Sequence, residues 1–134
     1  MLEMEEINWT TFLKQGDQYF KAATPKGEKS KFNNDTRYNL LSMSLEGYIM
    51  AILDFHQNLP DNHTYTDLIY GLERVVSLDA DLKERILKYE SLQSICSIDK
   101  YHREPPTDEE LTDLYGAIAK IKDMAHAECP STEV

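Results

Sequence analysis

Apolar residues recur every three or four positions along most of this chain, a spacing that gathers them on one face of an α-helix. From Trp9 the series runs Phe12, Leu13, Tyr19, Phe20 and Ala23, which predicts a first helix over 9–23. Thr24-Pro25-Lys26-Gly27 ends it, because proline drives the residue before it out of helical geometry and glycine frees the backbone. A second helix is predicted over 35–57, with Tyr38, Leu41, Leu45, Tyr48, Ile52 and Phe55 at heptad-like spacing. Leu40, Ile49 and Leu53 widen its apolar stripe, so this helix is expected to be the most buried. At 1.5 Å per residue it would be roughly 34 Å long, enough to run the height of a small bundle.

Asn58-Leu59-Pro60-Asp61-Asn62 breaks the pattern, and a shorter helix is predicted over 65–76 with Leu68, Leu72, Val75 and Val76 inward. A further helix over 80–95 presents Leu82, Ile86, Tyr89, Leu92 and Ile95. Ser97 to Pro106 is a loop made extended by its double proline. Thr107-Asp108-Glu109-Glu110 has the form of a capping box, so the last helix should start there and end near Ala127. It would bury Leu111, Leu114, Tyr115, Ile118, Ile121 and Ala125. No segment alternates apolar and polar residues with period two. The expected fold is all-α, an antiparallel four-helix up-and-down bundle with one additional short helix, over a single domain spanning 1–134.

Composition agrees with that picture. A length of 134 residues suits one hydrophobic core. The balance of 41% hydrophobic and 28% charged residues is that of an ordinary globule. The acidic start Met1-Leu2-Glu3-Met4-Glu5-Glu6 lacks the basic and apolar regions of a secretion signal. Gly47–Leu53, the longest strongly apolar run, is far short of the ~20 residues of a membrane span. A cytoplasmic protein with no membrane association is therefore expected, with Cys96 and Cys129 as free thiols.

The formal charge of −10 argues against nucleic acid as a partner, since phosphate backbones are bound by clustered Lys and Arg. Lys21, Lys26, Lys29, Lys31 and Arg37 against Glu28 and Asp35 form a local exception, which reads as a solvated loop or, alternatively, as an anion site.

Candidate chemistry is sparse. His56, His63, His102 and His126 do not fall at spacings that would gather three or four metal ligands, so no metal and no cofactor are expected. His126-x-x-Cys129 could share a helical face, but no second pair answers it, and a frayed surface C-terminus is the simpler account. Neither cysteine has a histidine and carboxylate placed beside it by the sequence, so no catalytic residue is assigned. Tyr38 and Tyr48 lie on the buried stripe and read as core residues with bonded hydroxyls or as part of a ligand cage. Lys100, Tyr101, His102 and Arg103 place cations and an aromatic ring ahead of a helix N-terminus. That pattern suits an anionic or nucleotide-like ligand, or a solvated loop with local ion pairs.

The order of elements resembles the HEPN domain family, helical partners or relatives of minimal nucleotidyltransferases, over about residues 9–127. Tyr38 to Phe55 resembles the family's long second helix, with acidic Glu46 followed by small Gly47. Thr66-Asp67-Leu68 stands where the family often has His-Asp-Leu, and Lys100-Tyr101 where many members carry Arg-Tyr. The resemblance implies a non-catalytic module that binds a partner protein, plausibly a nucleotidyltransferase, or a nucleotide-like ligand. With the loop pattern above, it points to ligand-binding roles for Thr66, Asp67, Lys100, Tyr101, His102 and Arg103. A homodimer is the expected assembly. The family also includes ribonuclease toxins that use Arg and, a few residues on, His near the last helix. Here only Lys120 and His126 have that spacing, and lysine lacks the planar fork that grips a phosphate. A purely structural homodimer is the remaining alternative.

Overall fold

A computed structural model describes residues 9–24, 33–58, 65–89 and 106–129. They form five helices: α1 (Trp9–Ala23), α2 (Asn34–Phe55), α3 (Tyr65–Val75), α4 (Ala80–Leu87) and α5 (Asp108–Glu128). There is no strand among the described residues. The chain is all-α, as the periodicity requires. α4 ends at Leu87 in a turn through Lys88 and Tyr89, short of the Ile95 that its apolar spacing suggested; Leu92 and Ile95 of that expected helix lie outside the described residues, as do Cys96 and His63.

Side chains fix the helix ends. Asn33 caps α2 by accepting the Thr36 amide at 2.8 Å, so the helix begins one residue earlier than its hydrophobic pattern suggested. Asp79 caps α4 through the Leu82 amide at 3.0 Å. The capping box forms at α5: Glu110 donates its amide to Thr107 Oγ1 at 3.1 Å, and the Thr107 amide donates to Glu110 Oε1 at 2.9 Å. The C-terminus of α2 comes earlier than Gln57, because Gln57 adopts a left-handed φ of 57°. The Gln57 amide then bonds Asp54 O at 2.9 Å and the Asn58 amide bonds Leu53 O at 2.7 Å, which is a Schellman termination.

Contacts at the two ends of each pair give the helix directions. Trp9 meets Phe55 edge-on at 5.5 Å, and Gly16 meets Gly47 midway, so α1 and α2 are antiparallel. Asn34 Nδ2 donates to Pro106 O at 2.8 Å and to Asp108 Oδ1 at 3.0 Å, while His56 meets Glu128 at 2.9 Å at the far end. Thus α2 and α5 run parallel, and α1 is antiparallel to both. α3 packs on α2 and α4, and α4 packs on α5.

α2 is the centre of the core. Tyr38, Leu41, Leu45, Tyr48, Ile49, Ile52 and Leu53 are all at most 2% exposed, and Leu111, Ile118 and Ile121 of α5 and Leu68, Ile69 and Leu72 of α3 close around them. Burying each such side chain stabilises the fold by about 1.5–3 kcal/mol before entropy is counted. Phe55, placed by spacing on the buried stripe, is instead 37% exposed at the helix end.

Among the described residues the α1–α2 interface is the most extensive, and small residues make it close. A Cβ added to Gly47 would lie 2.8 Å from the Gly16 nitrogen, and one added to Gly16 would lie 2.8 Å from the Tyr48 ring. Buried Ser44 reaches across to donate to Gly16 O at 3.0 Å. This close crossing brings Asp17, one residue further along α1, against Tyr48 of α2.

Candidate functional site

Where α1 and α5 diverge above α2 they leave an open groove of about 640 Å³, lined by Asp17, Phe20, Lys21, Thr24, Tyr115, Lys122 and His126. Helical spacing builds both walls. Asp17, Phe20 and Lys21 are three or four residues apart on α1, Thr24 follows one turn on at its end, and Tyr115, Lys122 and His126 fall on one face of α5.

The middle of the groove is aromatic. Phe20 stacks on Tyr115 with centroids 4.5 Å apart and planes 21° from parallel, and Lys122 Nζ sits 5.2 Å from the Phe20 centroid. At one end Thr24 Oγ1 and the Tyr115 hydroxyl are 2.9 Å apart, while Thr24 Oγ1 also donates to Phe20 O at 2.8 Å.

At the other end one carboxylate oxygen gathers two partners from different helices. The Tyr48 hydroxyl donates to Asp17 Oδ1 at 2.6 Å, and His126 Nε2 lies 3.0 Å from the same atom. Burial first, and the bond to Asp17 second, push the Tyr48 phenol well above its ordinary range, so it remains a donor at any physiological pH. Because the carboxylate oxygen accepts, the His126 ring directs its Nε2 hydrogen toward Asp17. The ring and its carboxylate are 44% and 40% exposed, within reach of solvent and of a ligand.

Thr66 and Asp67 lie in the first turn of α3, half-buried, each engaged with neighbours of its own. Neither lines the groove. Lys100, Tyr101, His102 and Arg103 lie outside the described residues. Lys120, paired with His126 by spacing, is exposed and does not line the groove; Lys122 does, because a spacing of four keeps two residues on one helical face and six does not. Tyr38 and Tyr48 are core residues with bonded hydroxyls, Tyr38 donating to Tyr89 O at 2.8 Å.

The expectation of a frayed C-terminus is corrected. α5 runs to Glu128, and Cys129 is 1% exposed against the core, its thiol pushed up to about 11 by burial. Among the described residues no group of three or more His, Cys, Asp and Glu side chains is arranged to hold a metal ion.

A second polar cluster ties α4 to α5. Asp113 accepts from Arg85 Nε at 3.1 Å and from the Tyr89 hydroxyl at 2.7 Å, with Lys88 Nζ 3.4 Å away. The Tyr89 hydrogen bond, with Arg85 and Lys88 beside it, holds the Asp113 carboxyl below its usual range against the opposing effect of burial. Every partner is satisfied within the cluster, which makes it a brace.

Sequence reasoning missed Asp17 and Lys122, and it grouped Lys21 with a charged loop. The available signal was Lys122 and His126 one turn apart on the last helix, but nothing in the sequence placed Asp17 opposite them. No family model, curated protein or solved structure matches this chain. Among the described residues no helix is long and apolar enough to cross a membrane.

Proposed function

We propose that this chain is a non-catalytic, HEPN-like helical module that binds a nucleotide-like ligand in the groove between α1 and α5. In this reading α3 and α4 complete a four-helix up-and-down arrangement, the protein is cytoplasmic and dimeric, and its partner protein is plausibly a nucleotidyltransferase. The observation that carries it is the stacked Phe20–Tyr115 pair flanked by Lys21, Lys122 and His126 in a space of about 640 Å³. That volume falls within the roughly 300–1,000 Å³ of small-molecule sites. Apolar walls with a few convergent cations suit a flat ring bearing phosphate, and their local positive charge stands out in a chain of net charge −10.

Thermal-shift measurements with nucleoside mono-, di- and triphosphates test this. A ligand at about 100 times its Kd should stabilise the protein by about 2.7 kcal/mol, and Lys122→Ala should abolish most of that gain. No shift with any nucleotide, together with no co-purifying nucleotidyltransferase, would remove the reading.

The alternative of a ribonuclease of the same family draws on the His126–Asp17 pair, which could act as a general acid–base. Its test is cleavage of single-stranded and structured RNA. Absence of cleavage sensitive to His126→Ala dismisses it.

A further inference from the structure

Resting on the groove reading above, we infer that the Tyr115 hydroxyl is a one-way acceptor, selecting a ligand ring that bears an amino group over one that bears a carbonyl. Two hydrogen bonds fix its direction. Thr24 Oγ1 lies 2.8 Å from Phe20 O, and a carbonyl has no hydrogen to give, so Thr24 donates its hydroxyl hydrogen there. That leaves Thr24 with no hydroxyl hydrogen for Tyr115, so across their 2.9 Å contact the phenol donates. The direction is anchored in the helix end. The Thr24 amide turns to Lys21 O at 3.2 Å, which leaves Phe20 O, one of the last carbonyls of α1, to the Thr24 hydroxyl.

A phenol oxygen that has given up its hydrogen keeps its lone pairs. Among the described residues the Tyr115 oxygen has no second hydrogen-bond partner, and Tyr115 and Thr24 both line the groove. Turning the hydrogen toward a ligand would break the bond to Thr24. What Tyr115 offers a ligand is therefore an acceptor alone.

The aromatic pair sets that acceptor beside a cation. Tyr115 stacks on Phe20 at 4.5 Å, and Lys122 Nζ lies 5.2 Å from the Phe20 centroid. A flat ring with an amino group on its edge and a phosphate on its tail meets both groups. A carbonyl on the same edge sets two acceptors against each other, and neither is satisfied. The ligand class is thus an amino-bearing base such as adenine, in preference to its carbonyl counterpart hypoxanthine.

Calorimetric titration of the full chain tests this with three ligands: adenosine monophosphate, its analogue with hydrogen in place of the amino group, and inosine monophosphate, with a carbonyl there. Wild type should bind the adenosine nucleotide about fivefold tighter than the hydrogen analogue and about tenfold tighter than the inosine nucleotide. Tyr115→Phe removes the acceptor and should bring all three within about twofold by weakening the adenosine nucleotide. Thr24→Val frees the Tyr115 hydrogen to turn toward the ligand. It should narrow the gap from the other side, strengthening the inosine nucleotide about fivefold. Circular dichroism confirms that both variants fold.

If wild type binds the three equally, or if its preference survives in either variant, the one-way acceptor is wrong while nucleotide binding stands. If none of the three binds, the selectivity falls; absence of a thermal shift with every other nucleotide then removes the groove reading as well.

Discussion

At the residue scale, two positions carry backbone constraints that a substitution would expose. Gly47 packs its Cα side against the α1 backbone, where an added methyl would meet Gly16 N at 2.8 Å, Gly16 Cα at 2.9 Å and Phe12 O at 3.0 Å. Backbone atoms at that distance cannot step aside as a flexible side chain would. Gly47→Ala should therefore destabilise the protein by about 1–3 kcal/mol, read from urea denaturation, although alanine is the better helix former. Gln57 presents the opposite case. It sits at φ 57° in the Schellman turn after α2, a conformation that costs a side chain about 1–2 kcal/mol and glycine almost nothing. Allowing for the greater freedom of glycine in the unfolded chain, Gln57→Gly should stabilise by about 0.5–1 kcal/mol in the same measurement. Neither site was marked by the hydrophobic pattern, since a glycine within a helix and a glutamine after one look unremarkable until the neighbouring helix and the turn are in place.

At the scale of elements, α4 is the shortest described helix, at 8 residues, and only its Leu82 and Ile86 are buried. Its attachment to α5 depends on Leu82 and Ile86 in the core and on the Asp113 cluster at the rim. Asp113 has a folded-state pKa below the 3.8 of an unperturbed aspartate. Its contribution is thus present above the unfolded value and is lost as pH falls through the folded one. Stability should drop on acidification below about pH 4, and Asp113→Asn should show a smaller drop over that interval than wild type when both are unfolded chemically at each pH. Equal pH slopes for the two proteins would show that other carboxylates govern acid unfolding. The helices themselves were largely legible in the sequence: α1 matched its expected bounds because Pro25 leaves no room for extension, and α5 began at its capping box. Boundaries slipped at α2, where Asn33 supplied the cap from outside the apolar pattern and the Schellman turn cut the other end short.

At the scale of the whole molecule, a net charge of −10 on 134 residues should make the folded state repel itself. Raising ionic strength from about 0.01 to about 0.15 M shortens the screening length from about 30 to about 8 Å. The midpoint of thermal unfolding should then rise by roughly 3 °C, corresponding to about 1 kcal/mol for a domain of this size. A falling midpoint would mean that attractive pairs such as Arg85–Asp113 and Lys83–Glu73 outweigh the net repulsion. The same excess of acid makes the positive groove between α1 and α5 distinctive, because Lys21, Lys122 and His126 gather there while carboxylates predominate in the sequence.

The amino-acid sequence by itself determined the helices and the central place of α2, because backbone periodicity and proline or cap signals act within a few residues of each other. The groove was decided only in three dimensions. Asp17 and His126 are far apart in the chain, each on a mostly polar face that in sequence looks like any solvated helix surface. They meet because Gly16, Ser44 and Gly47 let α1 approach α2 closely, and because α5 lies antiparallel to α1. Contacts between distant residues of that kind depend on packing distance and helix direction, which no local pattern encodes.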